Sequence, residues 1–262
     1  MLKKLFALIA GFAALCLIAY GGVWLYGAQQ LNNALDEFFA RNNDGQLVLY
    51  GAAPKVKGFP FAPEATFIQG LQYKGMDFKF DTMNVKGFGF AGLPVTVSFP
   101  EGLQIGTPQQ PNLLTFAYLE ATVSAPNGIP ELYEEDLRNW ETKASAVDIT
   151  DYKASLGSME MSGKGVLAVD QNLQPIVSLD TTATGYTELL ASLEANGNIT
   201  KSGHAAAMLA LNALAKDNPE TGVKELNIPI IVQNRKLNIG PLMLGEIPEI
   251  YWDRRTPLVQ PQ

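Results

Sequence analysis

The sequence has little of what most catalytic and metal-binding sites are built from. Its 262 residues include a single cysteine, Cys16, and a single histidine, His204. These counts exclude a disulfide framework and a Cys/His zinc site. Charged residues make up only 17% of the chain, and acidic residues outnumber basic ones by 26 to 19. An acidic balance lacks the basic footprint of a nucleic-acid-binding protein, so we expect no nucleic-acid partner.

One long stretch of the chain carries no charge. Leu5 to Gly27 is uncharged throughout, and about 20 such residues cross a hydrocarbon core of ~30 Å. Lys3 and Lys4 precede the stretch, and no basic residue follows it before Arg41. The positive-inside rule then places the N-terminus in the cytoplasm and the remainder on the far side of the membrane. We therefore predict a signal-anchor, a single transmembrane helix, over residues 1–27.

A cleaved secretory signal is the alternative interpretation of the same stretch. Ala19-Tyr20-Gly21 has the small-x-small spacing of a cleavage site, although the apolar run is longer than a usual signal core. Both interpretations export the rest of the chain, and they differ in whether it stays attached to the membrane.

The spacing of apolar residues changes from helical to alternating after residue 46. Ala28 to Ala40 has apolar residues at helical spacing, which predicts a short amphipathic helix, with a possible bend at Gly21-Gly22 before it. From Met76 to Ile239 apolar and polar residues alternate in several segments, which is typical of antiparallel strands with one solvated face.

Turn signals separate some of these predicted strands. Asp170 to Leu173 predicts a hairpin turn between two apolar segments, and Gln233 to Lys236 predicts another between the last two strands. Leu114, Phe116 and Tyr118 alternate with other residues, so we expect them to share one strand.

Three segments interrupt the strand pattern with helical character. They are Pro130 to Trp140, Thr187 to Ala195 and Ser202 to Lys216. The predicted fold is therefore α+β: a mostly antiparallel, long and curved β-sheet with two or three packed helices, preceded by one transmembrane helix.

The linker-like segment Pro108 to Pro111 is interpreted as a loop inside one domain, since strands are predicted on both sides of it. We expect a single β-rich domain over residues 28–252 and a loose tail over residues 253–262.

The motifs that resemble catalytic or cofactor sites have simpler interpretations. Gly87 to Gly92 matches G-x-G-x-x-G, but a strand follows where a dinucleotide site needs a helix. His204 has no nucleophile motif to accompany it. Acidic residues between Glu131 and Glu141 fit an exposed helix face better than a metal or catalytic site. We therefore predict no catalytic residues, no cofactor, no metal and no enzymatic activity.

Phenylalanine is concentrated in the first predicted strands. One interpretation is an ordinary core, because strands bury one face and phenylalanine packs well there. The other is an apolar groove for a lipid-like ligand. The candidate groove residues are Phe59, Phe61, Phe67, Phe78, Phe80, Phe88 and Phe90.

Three segments of glycine, proline and apolar residues occur in order along the chain: Gly58 to Phe61, Gly165 to Pro175 and Leu237 to Pro248. With these segments and its apolar N-terminus, the chain resembles bacterial domain-of-unknown-function family 2125, exported membrane-tethered proteins of Gram-negative bacteria. The resemblance implies anchoring in the inner membrane through Leu5 to Gly27, with a periplasmic C-terminal domain. It implies no catalytic residues.

The hairpin-rich second half also resembles long curved β-sheet proteins of the envelope that hold lipids in an apolar trough. By this analogy we expect a membrane-tethered periplasmic protein that shelters a lipid or another apolar ligand against its sheet. The alternative is a non-enzymatic envelope scaffold with a fully packed core, which binds another envelope protein.

Overall fold

A computed structural model describes most of the chain between Tyr20 and Trp252. Its described residues form two compact units, the first ending at Leu114 and the second beginning at Thr115. Residues 1–19 and the predicted tail 253–262 lie outside the described part. The described residues are 20–33, 35–36, 47–73, 76–88, 92–107, 114–128, 130, 133–197, 199–219, 222–240, 242–247 and 249–252.

The first unit contains a helix, α1, that is helical at residues 20–33 and 35–36. It includes the first part of the predicted amphipathic helix and also the C-terminal end of the uncharged stretch. Gly21 and Gly22, where the sequence allows a bend, are both helical. Glycine weakens a helix but keeps its main-chain hydrogen bonds, so two glycines do not oblige it to break.

Short antiparallel strands make up the rest of the first unit. They pair in two groups, β1-β4-β5-β8 and β2-β3-β6-β7. A ninth strand, β9 (Leu114–Phe116), crosses the boundary between the units. The strands are β1 (Leu47–Leu49), β2 (Val56–Lys57), β3 (Glu64–Ile68), β4 (Leu71–Tyr73), β5 (Met76–Lys79), β6 (Thr82–Lys86), β7 (Val95–Phe99) and β8 (Leu103–Gly106).

The second unit is built on one antiparallel sheet with longer strands. Its order is β10-β11-β12-β13-β15-β16-β17, and the short β14 pairs with β15. The strands are β10 (Tyr118–Ser124), β11 (Val147–Leu156), β12 (Met159–Val169), β13 (Pro175–Thr184), β14 (Ala215–Asp217), β15 (Lys224–Gln233), β16 (Lys236–Ile239) and β17 (Leu242–Glu246). The prediction of a mostly antiparallel α+β fold with long sheets is confirmed.

Within its described residues, the second unit also contains helices α2 (Glu134–Thr142), α3 (Tyr186–Ala195) and α4 (Lys201–Leu214). The two helices predicted near the C-terminus are therefore confirmed, with each end within two residues of its predicted position. The third begins later than predicted, because Tyr133 still has an extended backbone and acts as its N-cap.

The hairpin between β12 and β13 turns at the predicted position. The Asp170 carboxylate accepts hydrogen bonds from the main-chain N–H groups of Asn172 (2.8 Å) and Gln174 (2.9 Å), while Leu173 adopts a positive φ of 59°. An aspartate that bonds to following N–H groups closes such a turn without help from other elements. The sequence signal was sufficient because the turn is locally determined.

Two details of the strand predictions are wrong. Residues 114–118 form parts of two strands, since Ala117 leaves the strand pattern between β9 and β10 and donates its N–H to the Ser155 carbonyl (2.8 Å). The turn predicted at Gln233 to Lys236 is confirmed and joins β15 to β16, but these are not the last two strands, because β17 follows β16. A register shift between Leu237 and Asn238 interrupts the β16–β17 pairing.

The C-terminal end of the described chain is fastened to the β12–β13 turn. The Gln174 side chain donates to the Ile250 carbonyl (3.0 Å) and accepts from the Ile250 N–H (2.9 Å). The Trp252 indole N–H donates to the Leu173 carbonyl (2.7 Å). The Gln174 side chain thus bonds both main-chain groups of Ile250, as a residue of a neighbouring strand would, and the Trp252 indole adds a second attachment.

Candidate functional site

The second unit carries an open cleft of about 580 Å³ on one face of its sheet. Strands β11, β12, β13 and β15 all contribute to it. Most of the side chains that line it are polar or charged, among them Asp151, Lys153, Ser162, Lys164, Asp180 and Asn227.

Strand alternation places this cleft on the face opposite the helices. In β13, Asp180 and Thr182 line the cleft, whereas Ala183 is buried against Tyr186 of α3. Neighbouring side chains of a strand point to opposite faces of the sheet. The helices therefore cover one face of the second unit, and the cleft occupies the other.

The cleft presents charges of both signs. Lys164 and Asp180 are cross-strand partners in the β12–β13 register, and Lys153 of β11 lies opposite Ser162 of β12. Opposite charges directly across two strands stabilise a sheet by about 0.2–1 kcal/mol per pair. A ligand of this cleft therefore meets both cationic and anionic groups.

A hydrogen bond between two side chains orders the β15 side of the cleft. The Thr182 hydroxyl donates to the Asn227 side-chain oxygen at 2.8 Å, and the two residues are register partners. This bond leaves the amide nitrogen of Asn227, which has two N–H donors, available to a ligand. The arrangement is suited to hydrogen bonding rather than to covalent chemistry.

A buried tyrosine supports the sheet beneath the cleft. Tyr152 of β11 reaches across β12 to Thr181 of β13, with the hydroxyl oxygens 2.5 Å apart and both residues buried. Burial raises the pKa of the Tyr152 phenol above its ordinary value of 10.0. The tyrosine is therefore neutral at physiological pH and acts as a structural hydrogen-bonding group.

Glycine on the intervening strand makes this crossing possible. Gly163 is the register partner of both Tyr152 and Thr181. A Cβ atom at Gly163 would lie 3.1 Å from the Tyr152 Cε1 atom and only 1.9 Å from the Asp180 carbonyl oxygen. Any side chain at this position would force the strands or the tyrosine to move.

The other face of the sheet is packed against the helices at two places. At one end, Ala183, Tyr186, Leu226 and Ile228 form a buried cluster that Leu211 of α4 also contacts. Toward the other end, Trp140 of α2 packs in a separate buried cluster. Apolar side chains of the protein itself thus occupy the helix-covered face in both places.

A second candidate site lies in the first unit, at residues 58–61, which we call the aromatic turn. The Trp24 indole N–H donates to the Phe61 carbonyl (2.6 Å), and the Tyr20 hydroxyl donates to the Pro60 carbonyl. The Trp24 and Phe59 rings meet edge to face with centroids 5.5 Å apart. Despite these contacts, Phe59 and Phe61 remain 57% and 73% exposed.

The other predicted groove residues occupy different environments in the first unit. Phe67 and Phe80 are buried, and Phe80 packs edge to face on Phe99 with ring centroids 5.4 Å apart. Phe78 is half-buried in β5. Phe88 is half-buried beside Gly27 of α1, where a Cβ would lie 2.6 Å from its ring.

The structure therefore brings Phe59 and Phe61 together on one exposed turn, and it places Phe67 and Phe80 in the interior. Phe90 lies outside the described residues. A single groove formed by all seven phenylalanines stays a prediction.

The sequence motifs considered for catalysis take structural positions. The His204 imidazole contacts the Glu194 carboxylate, which links α4 to α3. Glu134 pairs with Arg138 one helical turn away at 3.2 Å. Within the described ranges, no three His, Cys, Asp or Glu side chains come together to hold a metal ion. The absence of enzymatic activity stays a prediction.

Sequence reasoning did not identify the polar cleft. Its residues are dispersed over four strands between positions 150 and 229, and each alone resembles an ordinary solvated strand residue. The available signal was the run of polar residues at every second position in several neighbouring strands. Strand order, which local sequence does not determine, is needed to bring them together.

The predicted membrane span falls mostly outside the described residues. Its last part, residues 20–27, is helical. Of the helices that the structure describes, none has both the length and the apolar character required to cross a membrane.

A comparison with protein families gives a match over the last part of the first unit and most of the second. A family model described as "Uncharacterized protein conserved in bacteria (DUF2125)" matches residues 81–248, more than half of the chain. The match includes the cleft and two of the three segments that carried the resemblance, and it begins after the aromatic turn. No curated protein and no solved structure matches the chain.

Proposed function

Because the chain belongs to the DUF2125 family of uncharacterized bacterial proteins, whose description names no activity, we propose its function from its geometry. The proposal is a non-enzymatic periplasmic protein, tethered to the inner membrane by its N-terminus, that binds a polar segment of another envelope protein in the cleft of its second unit.

The position and chemistry of the cleft carry this proposal. It opens on the sheet face opposite the helices that the structure describes, and side chains such as Lys153, Lys164, Asp151 and Asp180 give it charges of both signs. A polypeptide segment offers both signs of charge together with amide donors and acceptors. An apolar ligand would leave these groups without compensation for their lost hydration.

The tether is supported by the uncharged stretch from Leu5 to Gly27 and by the lysines before it. Aromatic residues are enriched where a transmembrane helix leaves the hydrocarbon core. Tyr20 and Trp24 stand at the far end of this stretch and lie on a continuous helix.

Site-specific photocrosslinking in cells tests the cleft. A photoreactive amino acid replacing Lys164 is expected to crosslink one dominant envelope protein. The matched control is the same replacement of Ser178, which is exposed and lies on the same sheet face, outside the cleft lining. Crosslinks of equal pattern and yield at both positions, or none at Lys164, would contradict the proposed binding site.

Sheltering of a lipid or another apolar ligand is the second candidate function, and the exposed Phe59 and Phe61 favour it. For this function, protein purified without added lipid should release a reproducible lipid species on solvent extraction, detected by mass spectrometry. Replacing Phe61 with serine should reduce the recovered lipid, whereas replacing the comparably exposed Leu209 should not. Equal recovery from both variants would contradict this function.

A further inference from the structure

The aromatic turn combines exposed apolar side chains with a rigid attachment to α1. Phe61 is 73% exposed and Phe59 is 57% exposed, yet their backbone is held by the hydrogen bonds from Tyr20 and Trp24. Two large aromatic side chains kept in water on a fixed turn are unfavourable unless another apolar phase receives them.

The place where the turn meets α1 indicates which phase that is. Tyr20 and Trp24 are one helical turn apart and lie within the uncharged stretch that begins at Leu5. Counting about 20 residues from Leu5 for a hydrocarbon core of ~30 Å ends near Trp24. With the proposed tether spanning the membrane from Leu5, the turn would contact the helix at the depth where the core gives way to headgroups.

Neighbouring side chains of the first unit fit the same position. Val23 and Leu25 of α1 are 53% and 66% exposed, so other faces of the helix are also apolar at this level. Lys55 and Lys57 are exposed and directly precede the aromatic turn. Lysines beside exposed aromatic side chains are characteristic of segments that lie in the interface of a membrane with anionic lipids.

We propose that the aromatic turn inserts Phe59 and Phe61 into the outer leaflet of the membrane that carries α1, as a second membrane contact of the first unit. The inference rests on the proposed tether. The turn would then fix the orientation of the first unit on the bilayer, which a single helix alone does not do.

Fluorescence of the full chain in vesicles of phosphatidylethanolamine and phosphatidylglycerol tests this contact. In a Cys16→Ser background, Phe61→Cys carries an environment-sensitive label, and Leu209→Cys serves as the control because Leu209 is 77% exposed in the second unit. We expect the label at position 61 to be quenched by brominated lipid and to be several-fold less sensitive to aqueous iodide than the label at position 209.

Vesicle flotation, measured on the same samples, separates the two proposals. Equal iodide sensitivity at positions 61 and 209 in protein that floats with the vesicles would overturn the aromatic-turn contact and leave the tether standing. Protein that does not float would overturn the tether and, with it, this inference. Phe59→Cys, labelled in the same way, should repeat the result obtained at position 61.

Discussion

Single residues decide how the β11–β13 region of the second unit is built. Gly163 leaves room for the Tyr152 ring to cross β12, and the Thr181 hydroxyl accepts or donates the bond at its far end. None of these residues belongs to a sequence motif that indicates a site. Their relation depends on the register of three strands, which the local sequence does not determine.

Replacing Tyr152 with phenylalanine should lower the free energy of unfolding by about 1–3 kcal/mol, because the buried Thr181 hydroxyl loses its partner. Urea denaturation of the detergent-solubilised full chain measures the change. Thr181→Val is the matched control. The double variant should be less destabilised than the two single changes added together, and additive effects would argue against the bond.

The same tyrosine predicts a pH dependence. Burial, the largest cause, raises the Tyr152 pKa in the folded state above 10.0, so folding favours the protonated phenol. The resulting stabilisation is complete below about pH 10 and is lost as the pH rises through the raised folded-state pKa. The free energy of unfolding, measured across this alkaline range, should fall less steeply with pH for Tyr152→Phe than for the unmodified chain. An unchanged slope would contradict the buried, neutral state of this residue.

At the scale of elements, features that the local sequence determines were predicted, whereas features that depend on long-range strand pairing were not. The β12–β13 turn and helices α3 and α4 were predictable, because an aspartate-closed turn and an alanine- and leucine-rich segment specify themselves locally. The interruption at Ala117 was not, since it depends on a hydrogen bond to Ser155 on another strand. The polar cleft needed the strand order and was missed for the same reason.

Helix α4 begins with a side-chain cap that is open to a direct test. The Thr200 hydroxyl accepts a hydrogen bond from the Gly203 N–H at 3.1 Å. Thr200→Ala should destabilise the protein by about 0.5–2 kcal/mol, whereas Thr200→Ser should keep most of the stability. Hydrogen exchange of the first turn of α4 should increase in the alanine variant only. Equal exchange in both variants would show that the cap does not hold the helix end.

At the scale of the whole molecule, the proposed topology places both units outside the cytoplasm. Alkaline phosphatase fused after Gln262 should be active, since this reporter requires the disulfides that form outside the cytoplasm. The same fusion without residues 1–27 should be inactive. Activity in the shortened fusion, or inactivity in the complete one, would contradict export by the uncharged stretch.

The last strand of the second unit bears on how the protein behaves at high local concentration. A terminal strand offers its outer main-chain groups to other chains and is a starting point for cross-β polymerisation. Strand β17 is only five residues long, Pro241 and Pro248 flank it in the sequence, and a register shift disturbs its pairing with β16. Short length, prolines and irregular pairing are the means by which natural sheets resist such fibres. The C-terminal edge of this sheet is therefore poorly suited to template fibre growth.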